Sequence, residues 1–208
     1  MRILIADDHA IVRRGLREIL LDEYPSAIIA EASDAEELLK KVFEEEWDLI
    51  ISDVSMPGRS GLDALKQIKQ AFPKLPVLIM SIYSEDQYAV RALRAGASGY
   101  FNKNSIHEEL FKAIESVRKG KKYITPAVAE KLAETFPTDG TEQLHQMLSD
   151  REFEVFKLLA SGKTVSDIAC QLSLSANTVS TYRSRILEKM NLHSNSELIR
   201  YALEQKLL

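Results

Sequence analysis

The stretch "LIISDVSMPGRSG", residues 49–61, runs from a block of apolar, β-branched residues straight into Asp53 and then into a Pro-Gly break. A short apolar run closed by turn residues reads as a buried strand. Its last residue is a carboxylate, placed where the core should be closing. Either Asp53 is a turn residue or the strand ends on a site.

Working outward from this stretch, "RILIA", "AIIAEA" and "VLIMS" are runs of the same kind, and "GYFN" is a shorter fifth. Helical periodicity fills roughly residues 9–22, 34–45, 61–71, 85–95 and 106–118 between them. Ser33 with Glu36 and Ser105 with Glu108 fit capping boxes at two helix starts. Strict alternation of helix with strands apolar on both faces predicts an α/β domain over residues 1–120, a doubly wound five-stranded parallel sheet.

Past Gly120 the pattern changes. Residues 121–147 read as a linker with one short helix, Pro126 standing in its first turn, and a Pro-, Gly- and Thr-rich break at 137–141. Residues 148–208 carry no strand signal but are dense in helix starts: Ser149 with Glu152, Thr164 with Asp167, Ser194 with Glu197, and Ser175 as a fourth cap. This predicts a second, all-α domain of four short helices. Cys170, the single cysteine, cannot form an internal disulfide, and "DIACQL" places it on a helix's buried face as a small core residue.

The composition, 208 residues with 45% hydrophobic and 28% charged, fits one or two ordinary globular domains. No apolar run approaches the roughly 18 residues of a membrane span, and "MRILIADDHA" turns acidic too early for a secretory leader. A cytoplasmic protein with no membrane partner is expected.

In a doubly wound sheet, ligands sit outside the carboxyl ends of the strands. Asp7 and Asp8 end the first strand, Asp53 the third and Ser81 the fourth, and Lys103 closely follows the fifth. Singly, each is more often a cap or a surface charge; together on successive strand ends they define a site. Three close carboxylates repel one another, and hard oxygens in that number suit Mg²⁺. With the metal screening the charge, Asp53 can attack a phosphoryl group while Lys103 and the Ser81 hydroxyl take the remaining oxygens.

These residues resemble a known family. "ADDH", "SDVSMPGRSG", "LIMS" and "GASGYFNK" are similar, in order, to the receiver domain of two-component response regulators. The resemblance implies that Asp53 is phosphorylated by a sensor histidine kinase and that Asp7, Asp8 and Asp53, with the backbone carbonyl of Ser55, hold Mg²⁺. It also implies that Ser81 and Tyr100 carry the switch beside Lys103. Asn104 departs from the proline that many receivers have after the lysine. Tyr83 and Ser55 stand two residues beyond Ser81 and Asp53; Tyr83 either shields the phosphoryl group from water or packs on the neighbouring helix.

The C-terminal segment resembles the LuxR-type helix-turn-helix, which makes the whole chain similar to the NarL/FixJ class of response regulators. "TVSDIACQL" reads as the first helix, "SLSAN" as the turn and "TVSTYRSRILEKM" as the helix that enters a major groove of double-stranded DNA. Val179, Ile186 and Leu187 fall inward, leaving Ser180, Thr181, Arg183, Ser184 and Arg185 outward, with Lys189 adding positive charge. Ser180, Thr181 and Ser184 match the base-reading positions of family members. Thr181 can meet a thymine methyl, and Arg183 a guanine or a phosphate.

Residues 149–208 hold eight basic and seven acidic side chains, a net of +1 in a chain of net −4. So small a positive footprint binds DNA weakly, and a homodimer on paired half-sites, formed on phosphorylation, is expected. RNA polymerase is a further expected partner. The chain is read as no enzyme beyond its own phosphorylation and dephosphorylation. A phosphohydrolase with an aspartate nucleophile commonly has an acid two residues on, where this chain has Ser55, and a small-ligand sensor needs no acidic rim.

Overall fold

A computed structural model describes residues 1–82, 85–134, 144–205 and 207. The chain divides into two compact units, residues 1–136 and 137–208.

In the first unit five strands, β1 (Arg2–Ala6), β2 (Ile28–Ala32), β3 (Leu49–Asp53), β4 (Val77–Ser81) and β5 (Gly99–Asn102), form one parallel sheet in the order β2-β1-β3-β4-β5. Helices α1 (Ala10–Glu23), α2 (Ala35–Glu44), α3 (Gly61–Ala71), α4 (Glu85–Arg94) and α5 (Ile106–Arg118) connect and cover it. Ile3, Ile5, Leu49, Ile51, Leu78 and Met80 pack into one core cluster with Leu16, Leu20 and Leu110. The alternate residues Leu4, Ile50 and Ile79 are equally buried, which is why these strands read as continuous apolar runs. Each such side chain, removed from water, contributes about 2 kcal/mol before ordering costs.

The register brings the strand ends level. Ala6 pairs with Ser52, Asp53 with Met80, and Ser81 with Asn102, so Asp7, Asp53, Ser81 and Lys103 emerge on one rim. The break after Asp53 is as tight as its sequence implies. The Gly61 N–H donates to the Val54 carbonyl at 2.8 Å, and a Cβ on Gly61 would lie 1.8 Å from the Asp53 carbonyl oxygen. Only glycine lets α3 start there. Ser60 caps that helix, accepting the Asp63 N–H.

Two helix starts differ from expectation. The cap of α2 is Asp34, one residue later than Ser33, and accepts the Glu37 N–H, while Glu37 accepts the Ser33 N–H rather than closing a box on the cap. Ser105 makes no side-chain cap, because residues 103–105 form a 3-10 turn capped instead by Asn102, which accepts the Asn104 N–H at 2.8 Å. A proline at 104 could not make that bond.

The segment after α5 is not a free linker through its first half. The Tyr123 N–H donates to the Ser98 carbonyl at 2.8 Å, and Tyr123 forms a parallel bridge with Gly99, so the chain lies along the outer edge of β5. A Cβ on Gly99 would come within 2.9 Å of the Tyr123 Cβ, so the approach requires glycine. Helix α6 (Pro126–Glu134), with Thr125 accepting the Val128 N–H, then packs against α4 and buries Val128. The first unit thus extends to residue 136 rather than ending at 120, because an apolar helix face and a sheet edge were both available for burial. The break at 137–141 lies outside the described residues, as does Tyr83.

In the second unit the described residues form a 3-10 turn (Leu144–Met147) and four helices, α7 (Asp150–Ala160), α8 (Val165–Gln171), α9 (Ala176–Lys189) and α10 (Asn195–Glu204). Capping boxes at Ser149 with Glu152 and Thr164 with Asp167 form on both sides, and Ser175 and Ser194 each accept a backbone N–H. Phe153, Phe156, Ile168, Val179, Ile186, Met190 and Leu198 make the core. Cys170 is exposed, contrary to expectation: on the short α8 the buried positions are Ile168 and Ala169, and the next residue turns outward.

Candidate functional site

The rim above β1, β3 and β5 carries a compact set of charges. Asp7 is fully buried and Asp53 is 3% exposed. Lys103 Nζ lies 2.6 Å from Asp7 Oδ2 and 2.7 Å from Asp53 Oδ2, so one ammonium bridges two buried carboxylates. Its charged form is favoured: burial opposes it, but the Asp53 and Asp7 carboxylates more than compensate, and its pKa is raised.

Asp53 is pushed up to about 7, first by burial, then by the neighbouring Asp7 charge, with Lys103 and the Ser55 backbone N–H pulling the other way. One positive charge among several carboxylates leaves the rim short of cation. Asp8 remains partly exposed at the mouth. The donor atoms of Asp7, Asp8, His9 and Asp53 all lie within 4.8 Å of one another. Hard carboxylate oxygens at that spacing, on a site whose charge is uncompensated, fit a divalent ion such as Mg²⁺.

Sequence reasoning missed His9 and Arg13. His9 Nδ1 lies 2.6 Å from Asp8 Oδ1, and the His9 N–H donates to Asp7 Oδ1 at 2.8 Å. Arg13 Nη1 donates to the Asp7 carbonyl at 2.6 Å, fixing the strand end, and its Nε reaches Glu31. The helical spacing of His9 and Arg13 on the first turn of α1 was the available signal. Ser81 is buried at the end of β4, on the strand between those bearing Asp53 and Lys103, and Tyr100 is buried within β5 beside Ile79.

The second candidate surface is α9. Val179 and Ile186 are buried inward as expected, and Leu187 partly so. Ser180, Thr181, Ser184 and Arg185 are exposed. The Thr181 and Ser184 hydroxyls donate back to the Asn177 and Ser180 carbonyls, leaving their oxygens as acceptors. Two of the residues assigned to this face are engaged elsewhere. Arg183 is half-buried and its Nε donates to Asn195 Oδ1 at 2.7 Å, tying α9 to the start of α10. Lys189 pairs with the buried Glu152 at 2.6 Å, tying the end of α9 to the capping box of α7. Lys189 stays exposed while its ammonium reaches Glu152, and Arg183 is half-buried on Asn195; periodicity alone shows neither partner.

Known proteins match both units. The family model of the response regulator receiver domain matches residues 3–115, and that of the bacterial regulatory proteins of the luxR family matches residues 146–202. An oxygen regulatory protein NreC from Staphylococcus carnosus is 38% identical, over all of this chain and 99% of its own length. Its namesake from Staphylococcus haemolyticus is 39% identical over the same shares. Among solved structures, RcsB from Salmonella enterica serovar Typhimurium, bound to promoter rprA with the phosphomimetic BeF3−, is 27% identical with a TM-score of 0.63, covering 97% of this chain and 98% of its own. A LuxR-family two-component response regulator from Aurantimonas sp. is 36% identical with a TM-score of 0.58, over 64% of this chain and 95% of its own.

Proposed function

The chain belongs to the two-component response regulators that join a receiver domain to a LuxR-type DNA-binding domain, and on that premise we propose that Asp53 is its phospho-acceptor and that a sensor histidine kinase supplies the phosphoryl group. The observation that carries this is the Lys103 bridge between two buried carboxylates, one of which, Asp53, ends the central strand.

Asp7, Asp8 and Asp53, with the Ser55 carbonyl, are the groups that would hold Mg²⁺. The ion's role there is to offset the negative charge that keeps a carboxylate and a phosphoryl group apart. The chain's own residues do the rest. Asp53 presents a carboxylate oxygen to phosphorus, and the phospho-histidine nitrogen leaves. Lys103, already charged and already on Asp53, moves with the incoming oxygens and stabilises them. The Ser81 hydroxyl, on the next strand end, donates to another. The same rim returns the phosphoryl group to water, so the only reactions are the chain's own phosphorylation and dephosphorylation.

Phosphorylation adds charge and acceptor oxygens at the end of β3. Ser81 draws toward them and Tyr100 repacks, which alters the α4, β5 and α5 face. That change favours a homodimer, and two copies of a weakly charged DNA-binding unit bind paired half-sites far better than one. Ser180, Thr181, Ser184 and Arg185 read or hold the DNA, while Arg183 and Lys189 fix the helix that presents them. The protein acts in the cytoplasm, where kinase, DNA and RNA polymerase are all accessible. Asp53→Asn should abolish Mg²⁺-dependent labelling by a small phospho-donor, measured by intact mass; undiminished labelling, or labelling at another residue, would overturn the assignment.

A further inference from the structure

At the opposite rim of the sheet, just before β4 and β5 begin, a cleft of about 240 Å³ gathers Lys69 from α3, Lys74 from the loop after it, and Lys121 and Lys122 from the segment leaving α5. No carboxylate lines it among the described residues, and none of the four lysines is ion-paired there. The neighbouring cleft holds Asp48 and Arg118, but Asp48 is occupied by the Arg2 backbone N–H at 2.7 Å.

The arrangement is partly built. Lys69 is half-buried, and its Nζ donates to the Leu75 carbonyl at 2.6 Å, which holds the ammonium in the cleft wall. Gly96, at φ +100°, leaves room for the Lys69 stem, since a Cβ there would lie 3.1 Å from Lys69 Cγ. The Lys121 N–H is bound to the Ser116 carbonyl at 3.0 Å, so the segment carrying Lys121 and Lys122 starts from a fixed point. Burial lowers the Lys69 pKa, and the Lys122 charge lowers it further.

We propose that this four-lysine cleft is a binding site for a compact phosphate-bearing anion of two or more negative charges, of the size of inorganic pyrophosphate or the terminal phosphates of a nucleotide. Ammonium groups act as point charges and suit a phosphate, whereas a planar carboxylate favours the guanidinium fork. The volume is below the roughly 300 Å³ at which pockets for larger organic ligands begin, so the anion must be small. Because the lysines come from three segments, a bound anion draws the start of the 121–134 segment onto the α3–β4 loop and stiffens it, far from Asp53.

The test uses the full-length protein and sodium pyrophosphate in Mg²⁺-free, low-salt buffer, followed by calorimetry. One saturable site per chain is expected. Lys69→Gln and Lys122→Gln should each weaken it about fivefold, and together about twentyfold. Lys40→Gln, an exposed lysine on α2, should leave it unchanged. Non-saturable uptake, or an equal loss in Lys40→Gln, would overturn the site. So would a failure of pyrophosphate to saturate, combined with weaker binding of random-sequence duplex by the Lys69→Gln/Lys122→Gln protein. In that case the lysines touch the DNA backbone.

Discussion

Each unit buries a cluster of charge, and the two clusters are built on opposite terms. In the first, Lys103 stands between Asp7 and Asp53 with Asp8 nearby, so acids outnumber cations and Asp53 is pushed up to about 7 by its burial. In the second, Arg151 and Glu154, 4% and 2% exposed, pair at 2.5 Å, and Glu152 pairs with Lys189. Burial raises the Glu152 carboxyl, but bonds from Lys189 and Ser149 outweigh it and the net shift is downward. Each of Glu154 and Glu152 has a cation of its own, whereas Asp7 and Asp53 share one. Buried charge left uncompensated is poised to take something up; buried charge that is matched holds helices together.

The largest expected effect sharpens the structural half of this contrast. Arg151 also donates to the Leu172 carbonyl at 3.2 Å, linking α7 to the end of α8. Arg151→Ala leaves Glu154 buried without its cation and should destabilise the second unit by about 3–5 kcal/mol. Replacing both, Arg151→Met with Glu154→Leu, should recover most of that loss, because a matched pair contributes little beyond an apolar substitute. Urea unfolding followed by circular dichroism measures both. If the single change is as mild as the double, the pair is not holding the helices.

The reverse holds for the acidic rim, where removing a charge should stabilise. The Asp53 carboxyl has a higher pKa folded, about 7, than its ordinary 3.8. Its contribution to stability is therefore fully present below about pH 4 and is lost as pH rises through 7. Asp53→Asn carries no such loss, so without metal the variant should match the parent near pH 4 and exceed it by up to about 4 kcal/mol above pH 7. A constant difference between the two across that range would show that Asp53 is not strained. The same protonation governs cation uptake: below pH 7 Mg²⁺ must displace a proton, and its affinity should fall about tenfold per pH unit. Calorimetric titrations from pH 5.5 to 8.5 test this, and a flat profile would remove Asp53 from the ligand set.

The contrast also explains what could be seen in the sequence. The parallel sheet and the acidic rim were legible because each strand is a short apolar block with a polar residue at its carboxyl end, and the parallel fold brings those ends together. The Gly61 requirement was encoded in "GRSG" but visible only once α3 was placed against the Asp53 carbonyl. The docking of residues 121–134 was not legible, since Tyr123 on Gly99 and Val128 on α4 are long-range contacts without a local periodic signature. In the second unit the caps at Ser149 and Thr164 were plain. The partners of Arg183 and Lys189 were not, because a long cation on the flank of a helix has two places to go. Its choice depends on Asn195 and Glu152, residues distant in sequence.

That ambiguity sets the smallest of the expected effects. Arg185 is exposed on α9, while Arg183 is half-buried on Asn195. If Arg185 meets a DNA phosphate, Arg185→Ala should weaken binding about fivefold and reduce the slope of log affinity against log salt by about one unit. Arg183→Ala removes a tie between α9 and α10 instead. It should lower the stability of the second unit by about 1 kcal/mol and leave the salt slope unchanged, since no phosphate contact is lost. Fluorescence anisotropy with a duplex at several salt concentrations, run beside thermal unfolding, separates the two. A slope that drops for Arg183→Ala and not for Arg185→Ala would mean that Arg183 leaves Asn195 when DNA arrives. The structural tie would then be a resting place for a DNA-binding arginine, and the division between matched and unmatched charge would not extend to the surface of α9.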